Sequence, residues 1–380
     1  MQAHQAHQQT STRMKFDEEL HITRRPTRKV KVGNIFIGGD APIAVQTMAK
    51  TKTDDVDATI AQIHEIQQAG ADLVRVAVPD EKAARSLEWI RLNIQIPLVA
   101  DIHFNAKFAM IALEQGVDKL RLNPGNIRNE AKIRDIVKAA QERSVPIRIG
   151  VNAGSLDPDI KERYGLTPRA LIESAKRELS YFEKENFGDV IISLKASDVR
   201  MCIAAYRLAA EELGDYPLHL GVTEAGITRA GTVKSSIGMG LLLSEGIGDT
   251  LRVSLTGDSV EEVKVGWDIL SGLELRRRGP NVISCPSCGR CDINVVPLAE
   301  QVNAAVGSIS QPISIAVMGC EVNGPGEAKS ADYGIAGGNG ISLIFEKGEI
   351  VARAKPEEQL DVLMNVIKNG LAKDAVAAEE

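Results

Sequence analysis

Leu98-Val-Ala-Asp101, Lys119-Leu-Arg-Leu122 and Ile147-Arg-Ile-Gly-Val151 are three short apolar runs, each carrying a polar residue and each followed by a helical pattern. The helical patterns start at Ala106, at Glu130 and, after a longer loop, at Pro168. Near-continuous apolar runs of this length suit parallel strands buried on both faces. Their alternation with segments of helical period marks repeated strand–helix units.

The same grammar extends in both directions. Upstream, Ile43–Thr47 precedes a helix over Val56–Ala69, and Asp72–Ala77 precedes a helix from Glu81. Downstream, Val190–Leu194 leads to a helix from Val199, and Leu218–Val222 to one from Thr232. Thr250–Ser254 then leads to a helix from Val260 to about Leu275. A hairpin over Lys29–Gly39, turning at Gly33-Asn34, comes before them all. Eight such units predict an α/β fold of the closed (β/α)8 TIM-barrel type. A doubly wound open sheet is the competitor, but no GxGxxG follows the first strand.

Polar residues recur at or near the ends of these runs: Gln46, Arg75, Asp101 with His103, Arg121 with Asn123, and Arg148 with Asn152. Ser193 with Lys195, His219 with Glu224, and Arg252 continue the series. In a barrel they converge on one rim, where barrel enzymes keep their active sites. Isolated buried charges cost several kcal/mol each unless paired, so a repeated series points to a site rather than to accident.

After about Pro280 the pattern changes to a small α+β domain. A cysteine-rich turn is followed by a helix near Leu298–Val306, a strand Ile313–Val317 and a Gly-rich turn. Two or three strands between Tyr333 and Arg353 and a final helix from Pro356 to about Asn369 complete it. The expected organisation is a disordered segment over 1–22, a barrel over 23–278, the small domain over 279–371 and a flexible tail over 372–380.

The chain has 380 residues, is 44% hydrophobic and 25% charged, and so resembles an ordinary globular protein with enough apolar surface for a core. A net charge of −6 and an aromatic content of 4% argue against nucleic-acid binding. No apolar stretch reaches membrane-spanning length, and the Gln/His/Ala-rich start lacks a signal-peptide core, so a cytoplasmic location is expected.

Five cysteines in a reducing compartment suggest metal before disulfides. Cys285-Pro-Ser-Cys288 and, further on, Gly319-Cys320-Glu-Val-Asn-Gly-Pro-Gly-Glu327 place thiols in Gly/Pro-rich turns. Such turns suit an iron–sulfur cluster, whose sulfurs backbone amides approach. A four-cysteine zinc site, with Cys291 as fourth ligand, is the alternative, although a second two-residue knuckle is absent, and spacing equally allows Cys291 to join Cys285 and Cys288 on one cluster. Cys202 lies in a helical segment and reads as a small buried hydrophobe.

Two further sets stand out. Arg75, Arg121, Arg148, Lys195 and Arg252 gather positive charge suited to a substrate with several negative charges, such as a diphosphate, with Asn123, Asn152 and Ser155 as neutral donors. Asp101, His103, His219, Glu224 and Glu327 form an acid–base set.

At these residues the sequence closely resembles the 4-hydroxy-3-methylbut-2-enyl diphosphate synthase family of the bacterial methylerythritol phosphate pathway. The resemblance runs from about Arg24 to Ile367 and rests on an ordered series of motifs. They include Val45-Gln-Thr-Met48, Leu73-Val-Arg-Val-Ala-Val-Pro79, Ala100-Asp-Ile-His103 and Leu120-Arg-Leu-Asn-Pro-Gly-Asn126. Arg148-Ile-Gly-Val-Asn-Ala-Gly-Ser155, Ser193-Leu-Lys-Ala-Ser197 and Leu218-His-Leu-Gly-Val-Thr-Glu-Ala-Gly226 follow, with the two cysteine turns.

The resemblance implies a [4Fe–4S] enzyme that opens and reductively dehydroxylates 2-C-methyl-D-erythritol 2,4-cyclodiphosphate, using single electrons from flavodoxin or ferredoxin. It implies that Cys285, Cys288 and Cys320 hold the cluster, with Glu327 as an exchangeable fourth ligand. It makes Arg75, Arg121, Arg148, Lys195, Arg252 and Asn152 substrate ligands, and Glu224 the candidate acid for the departing oxygen. It further implies a homodimer in the short bacterial form, without the large inserted domain of plant-type relatives. Cys291 departs from the family pattern, in which a non-cysteine is expected. A cluster-dependent hydro-lyase, a non-catalytic iron–sulfur electron carrier and a zinc-stabilised phosphate-binding barrel are the competing expectations.

Overall fold

A computed structural model describes residues 21–379 apart from 104, 124–129, 321–325, 327–330 and 339. The expected disorder of the first residues, most of the Asn323-Gly-Pro-Gly-Glu327 turn and Glu327 itself therefore lie outside the described residues. The chain divides into two compact units, residues 1–276 and 277–380.

The first unit is a (β/α)8 barrel. Its strands are β3 (Ala44–Met48), β4 (Leu73–Ala77), β5 (Leu98–Ile102), β6 (Lys119–Leu122), β7 (Ile147–Asn152), β8 (Val190–Lys195), β9 (His219–Leu220) and β10 (Thr250–Leu251). They form one parallel eight-stranded sheet in the order β8-β7-β6-β5-β4-β3-β10-β9. A parallel bridge between Ile192 and Leu218 joins its two ends. The hairpin strands β1 (Val30–Val32) and β2 (Ile35–Ile37) precede the barrel.

Helix starts follow from the sequence at the C-terminal ends of the strands. Asp55, Asp80, Asn105, Asp198 and Asp258 each accept a backbone N–H of the helix that follows, satisfying a donor the first turn leaves open. The short helix Pro158–Tyr164 fills the long loop after β7, where no helix was expected.

Register sorts the barrel interior into layers. Ala44, Leu73, Val99 and Ile191 pack with Val30, Val32 and Ile37, so the hairpin plugs the N-terminal end with an apolar layer. Next come Gln46, Lys119, Arg148, His219 and Thr250, all buried. Above them lie Arg75, Asp101, Arg121, Ser193, Lys195 and Arg252. The apolar faces turned outward pack against the helices in one continuous core.

The second unit is a five-stranded sheet, in the order β11 (Asn281–Ser284), β12 (Ser314–Met318), β13 (Tyr333–Ala336), β14 (Ser342–Glu346) and β15 (Glu349–Ala354). The first three strands run parallel and the last two pairings are antiparallel. Val295, Leu298 and Val302 of one helix and Leu363 and Ile367 of another bury Ile315, Val317, Ile335 and Ile344. Strand β11 was not anticipated, because its exposed Asn281, Ile283 and Ser284 give no buried-strand pattern. The final helix runs past the end expected near Asn369: it spans Gln359–Glu379. Its Ala-, Lys- and Glu-rich end has strong helix propensity and no Pro, and Lys347 pairs with Asp374 at 2.7 Å. Among the described residues no helix is long and apolar enough to cross a membrane.

Candidate active site

The C-terminal rim of the barrel encloses a cleft of about 100 Å³ lined by Arg75, Asp101, His103, Arg121, Arg148, Asn152, Ser193, Lys195, Thr223, Arg252 and Ser254. Strand alternation puts them there. Arg121 follows Lys119 by two residues on β6 and Asn123 comes two further on, just past the strand, as Asn152 follows Arg148 and Gly150 on β7, and Lys195 follows Ser193 on β8. Asn123 stands beside the cleft, its amide donating to Ser155 Oγ at 3.1 Å.

Two carboxylates hold the cations. Asp101 Oδ1 accepts from Arg121 Nη1 at 3.0 Å, and its Oδ2 lies 3.6 Å from Arg75 Nε and 3.3 Å from His103 Nε2. Burial alone raises the pKa of Asp101; Arg75, the His103 hydrogen bond and Arg121 outweigh it and hold the carboxyl well below the usual carboxylate range. Glu262, on the helix after β10, accepts from Arg252 at 3.3 Å and from Thr47 Oγ1 at 2.6 Å. Arg75 also donates to Met48 Sδ at 2.9 Å. Burial, opposed by Asp101 and reinforced by Arg252 and Arg121, brings the Arg75 pKa down to about 10.

Lys195 has no carboxylate in its ion-pair range among the described residues. Burial first, then Arg148, Arg252, Arg75 and Arg121, holds its ammonium well below the ordinary lysine value. The cleft thus concentrates cations beyond what its carboxylates neutralise, which is the electrostatic form of a polyanion site.

The rim expectation is corrected for His219. It opens β9, pairs with Thr250 and is fully buried one layer below the cleft, with no partner for either ring nitrogen among the described residues. Burial, then Arg148, Lys195 and Lys119, pushes its pKa well below the ordinary value, so the ring is neutral. Glu224 lies in the loop beyond β9, exposed and outside the cleft lining, with a left-handed φ of 54°. Such a φ is strained for a residue with a Cβ, and this one sits next to a cleft-lining threonine.

Thr223, Ser254 and Glu262 were missed. Thr223 and Ser254 continue the inward two-residue step from Gly221 and Arg252, so alternation carried their signal. Glu262 sits in a first helical turn, where an acidic residue is ordinary, and nothing local marks its reach to Thr47.

In the second unit, parallel pairing of Ser284 with Val317 sets the ends of β11 and β12 side by side. That brings Cys285 beside Gly319-Cys320: the Gly319 N–H donates to Cys285 Sγ at 3.3 Å. A Cβ on Gly319 would collide with Cys291 Sγ and stand 3.2 Å from Cys285 Sγ, so the glycine is a cradle for sulfur. The Cys288 N–H donates to Cys291 Sγ at 3.4 Å. Ser287 turns this loop with a φ of 62°. No three His, Cys, Asp or Glu side chains among the described residues are arranged around a single metal ion. A four-iron cluster spreads its thiolates wider than one ion does, and thiols supplied with backbone N–H donors fit it. Cys202 is buried in the barrel wall, its thiol pushed up to about 11 by burial.

A larger cleft at the opposite end of the barrel is lined by Lys29, Asp40, Asp72 and Arg276 among apolar residues. Its charges pair with each other, Lys29 with Asp40 and Arg276 with Asp72, each at 2.7 Å, so it has no surplus to offer a ligand.

Comparison with known proteins agrees across both units. Residues 27–267 match the GcpE TIM-barrel domain and residues 281–369 the GcpE protein C-terminal domain. A protein of Caldanaerobacter subterraneus subsp. tengcongensis is 54% identical over 346 residues, covering 91% of this chain and 97% of its own length. One from Marinomonas sp. is 52% identical, covering 94% and 96%. Both are named 4-hydroxy-3-methylbut-2-en-1-yl diphosphate synthase (flavodoxin).

Proposed function

The chain belongs to the GcpE family of 4-hydroxy-3-methylbut-2-en-1-yl diphosphate synthases, and from that membership we propose that it converts 2-C-methyl-D-erythritol 2,4-cyclodiphosphate to 4-hydroxy-3-methylbut-2-enyl diphosphate by reductive ring opening. The observation that carries the substrate class is the cation surplus of the barrel cleft, in which Lys195 lacks a carboxylate partner among the described residues. Arg75, Arg121, Arg148, Lys195 and Arg252 take the diphosphate oxygens, and the Asn152 amide adds a neutral donor. Asp101 holds Arg75 and Arg121 in position and orients His103 at the mouth. Glu224 supplies a proton to the oxygen that leaves as water.

Cys285, Cys288 and Cys320 would hold a [4Fe–4S] cluster, with Glu327 as its exchangeable ligand. When bound, the cluster supplies electrons one at a time and a Lewis-acidic iron. The electrons come from flavodoxin, the donor in the relatives' names, or from ferredoxin. A reducing, cytoplasmic setting suits cysteines that serve a cluster rather than disulfides. We further propose a homodimer. Val233, Ile237 and Leu241 lie four residues apart on one exposed helix face, and a second copy would cover them; sedimentation equilibrium checks this.

The test uses cysteine variants of protein reconstituted without oxygen. Wild type is expected to form the allylic diphosphate and show cluster absorbance. Cys320→Ser loses both. Cys291→Ser keeps both, because Cys291 stands outside the ligand set. Loss of the absorbance in Cys291→Ser contradicts that set.

A further inference from the structure

We propose that Gly150 is a positioning residue for the diphosphate: the space where its Cβ would stand is the seat of the Arg121 guanidinium. This deepens the substrate assignment above and rests on Arg121 being a diphosphate ligand.

Gly150 lies two residues beyond Arg148 on β7 and so faces the barrel interior beside Arg121 of β6. A Cβ built there would lie 2.5 Å from Arg121 Nε, 2.7 Å from Nη2 and 3.0 Å from Cζ, against one whole edge of the planar group. Backbone geometry does not require the glycine, since its φ is not among the positive ones. The demand comes from the side chain it faces.

Arg121 cannot yield easily. Its Nη1 donates to Asp101 Oδ1 at 3.0 Å and its Nη2 to the Gly150 carbonyl at 3.2 Å. It is only 4% exposed, and Asp101 is itself engaged by Arg75. An added methyl would therefore push the guanidinium off its carboxylate and change where its charge meets a ligand. Elsewhere in the barrel Gly221 does the same for Lys195, whose Nζ would lie 2.8 Å from a Cβ. There a Cβ also meets the Arg252 carbonyl oxygen at 2.9 Å, so position 150 gives the cleaner test.

The experiment is a double-mutant cycle on the cluster-loaded protein: wild type, G150A, R121A and the double variant. Calorimetry measures binding of the cyclic diphosphate, and thermal unfolding is followed in parallel. G150A is expected to weaken binding by about 30-fold or more in the wild-type background, and by less than about threefold when added to R121A. Tm follows the same pattern, falling with G150A only where Arg121 is present. Equal costs in both backgrounds overturn the proposal. So does failure of both G150A variants to fold, which would place the clash in the backbone; failure of G150A rescued by R121A supports it. R121A binding as tightly as wild type sinks the diphosphate assignment instead, and leaves the Tm cycle to judge the glycine.

Discussion

Lys195→Met is expected to make the protein more stable and nearly inactive. The ammonium is buried among Arg148, Arg252, Arg75 and Arg121 with no carboxylate against it among the described residues. Methionine matches its length and needs no counter-charge. Replacing buried ion pairs by apolar side chains of similar volume is often neutral or stabilising by about 1–4 kcal/mol, and an ammonium with no carboxylate against it has no pairing to lose. A Tm rise of about 3–6 °C in a calorimetric scan corresponds to the lower part of that range. The same variant loses a charge-assisted contact to phosphate, so kcat/KM falls by roughly 100-fold, about 2.7 kcal/mol. A depressed lysine pKa in the free protein also means that a diphosphate, by favouring the ammonium, draws in a proton on binding. Binding heats measured over a pH series in buffers of different ionisation enthalpy should report that uptake in wild type and less of it in Lys195→Met. Lost stability in the variant would show that Lys195 is structurally paired and would remove it from the cation surplus of the cleft.

Asp101→Asn should have the opposite effect on stability with a similar loss of activity. The amide keeps the shape but removes the charge that faces both Arg75 and Arg121. Breaking a buried pair by removing one partner costs about 3–5 kcal/mol, here a Tm fall of about 10 °C. The pH signature follows from linkage. A carboxyl with a depressed folded pKa contributes stability that is complete above its unfolded value near 4, and that contribution fades as the pH falls below it. Wild type should lose stability faster than Asp101→Asn below about pH 4, while the gap between them stays constant from pH 5 to 8. Urea unfolding at several pH values measures both. A gap that grew between pH 5 and 8 would assign the effect to another group.

Much of this site could be read from strand alternation. Arg121, Arg148 and Lys195 interrupt apolar runs at inward positions, and parallel pairing carries them to one end of the barrel. Depth was harder to read. His219 belongs to the same kind of run, but register with Thr250 sets it one layer below the rim. Which residue of a run reaches the mouth depends on where each strand starts against its neighbours, a long-range property absent from local pattern. Glu262 was invisible for a related reason: its partner Thr47 is 215 residues away. The cysteine turn was plain from spacing, whereas the need for Gly319 beneath two sulfurs emerged only once β11 and β12 were seen to be adjacent.

The central claim is that the barrel binds a cyclic diphosphate for reduction. Its most direct test is an anaerobic assay of the cluster-loaded protein with that substrate, with and without a low-potential one-electron reductant. Allylic diphosphate formed only when the reductant is present is the expected result. Turnover without reductant would make the protein a hydro-lyase, and an intact, reducible cluster with no turnover at all would leave an electron carrier; either outcome contradicts the claim.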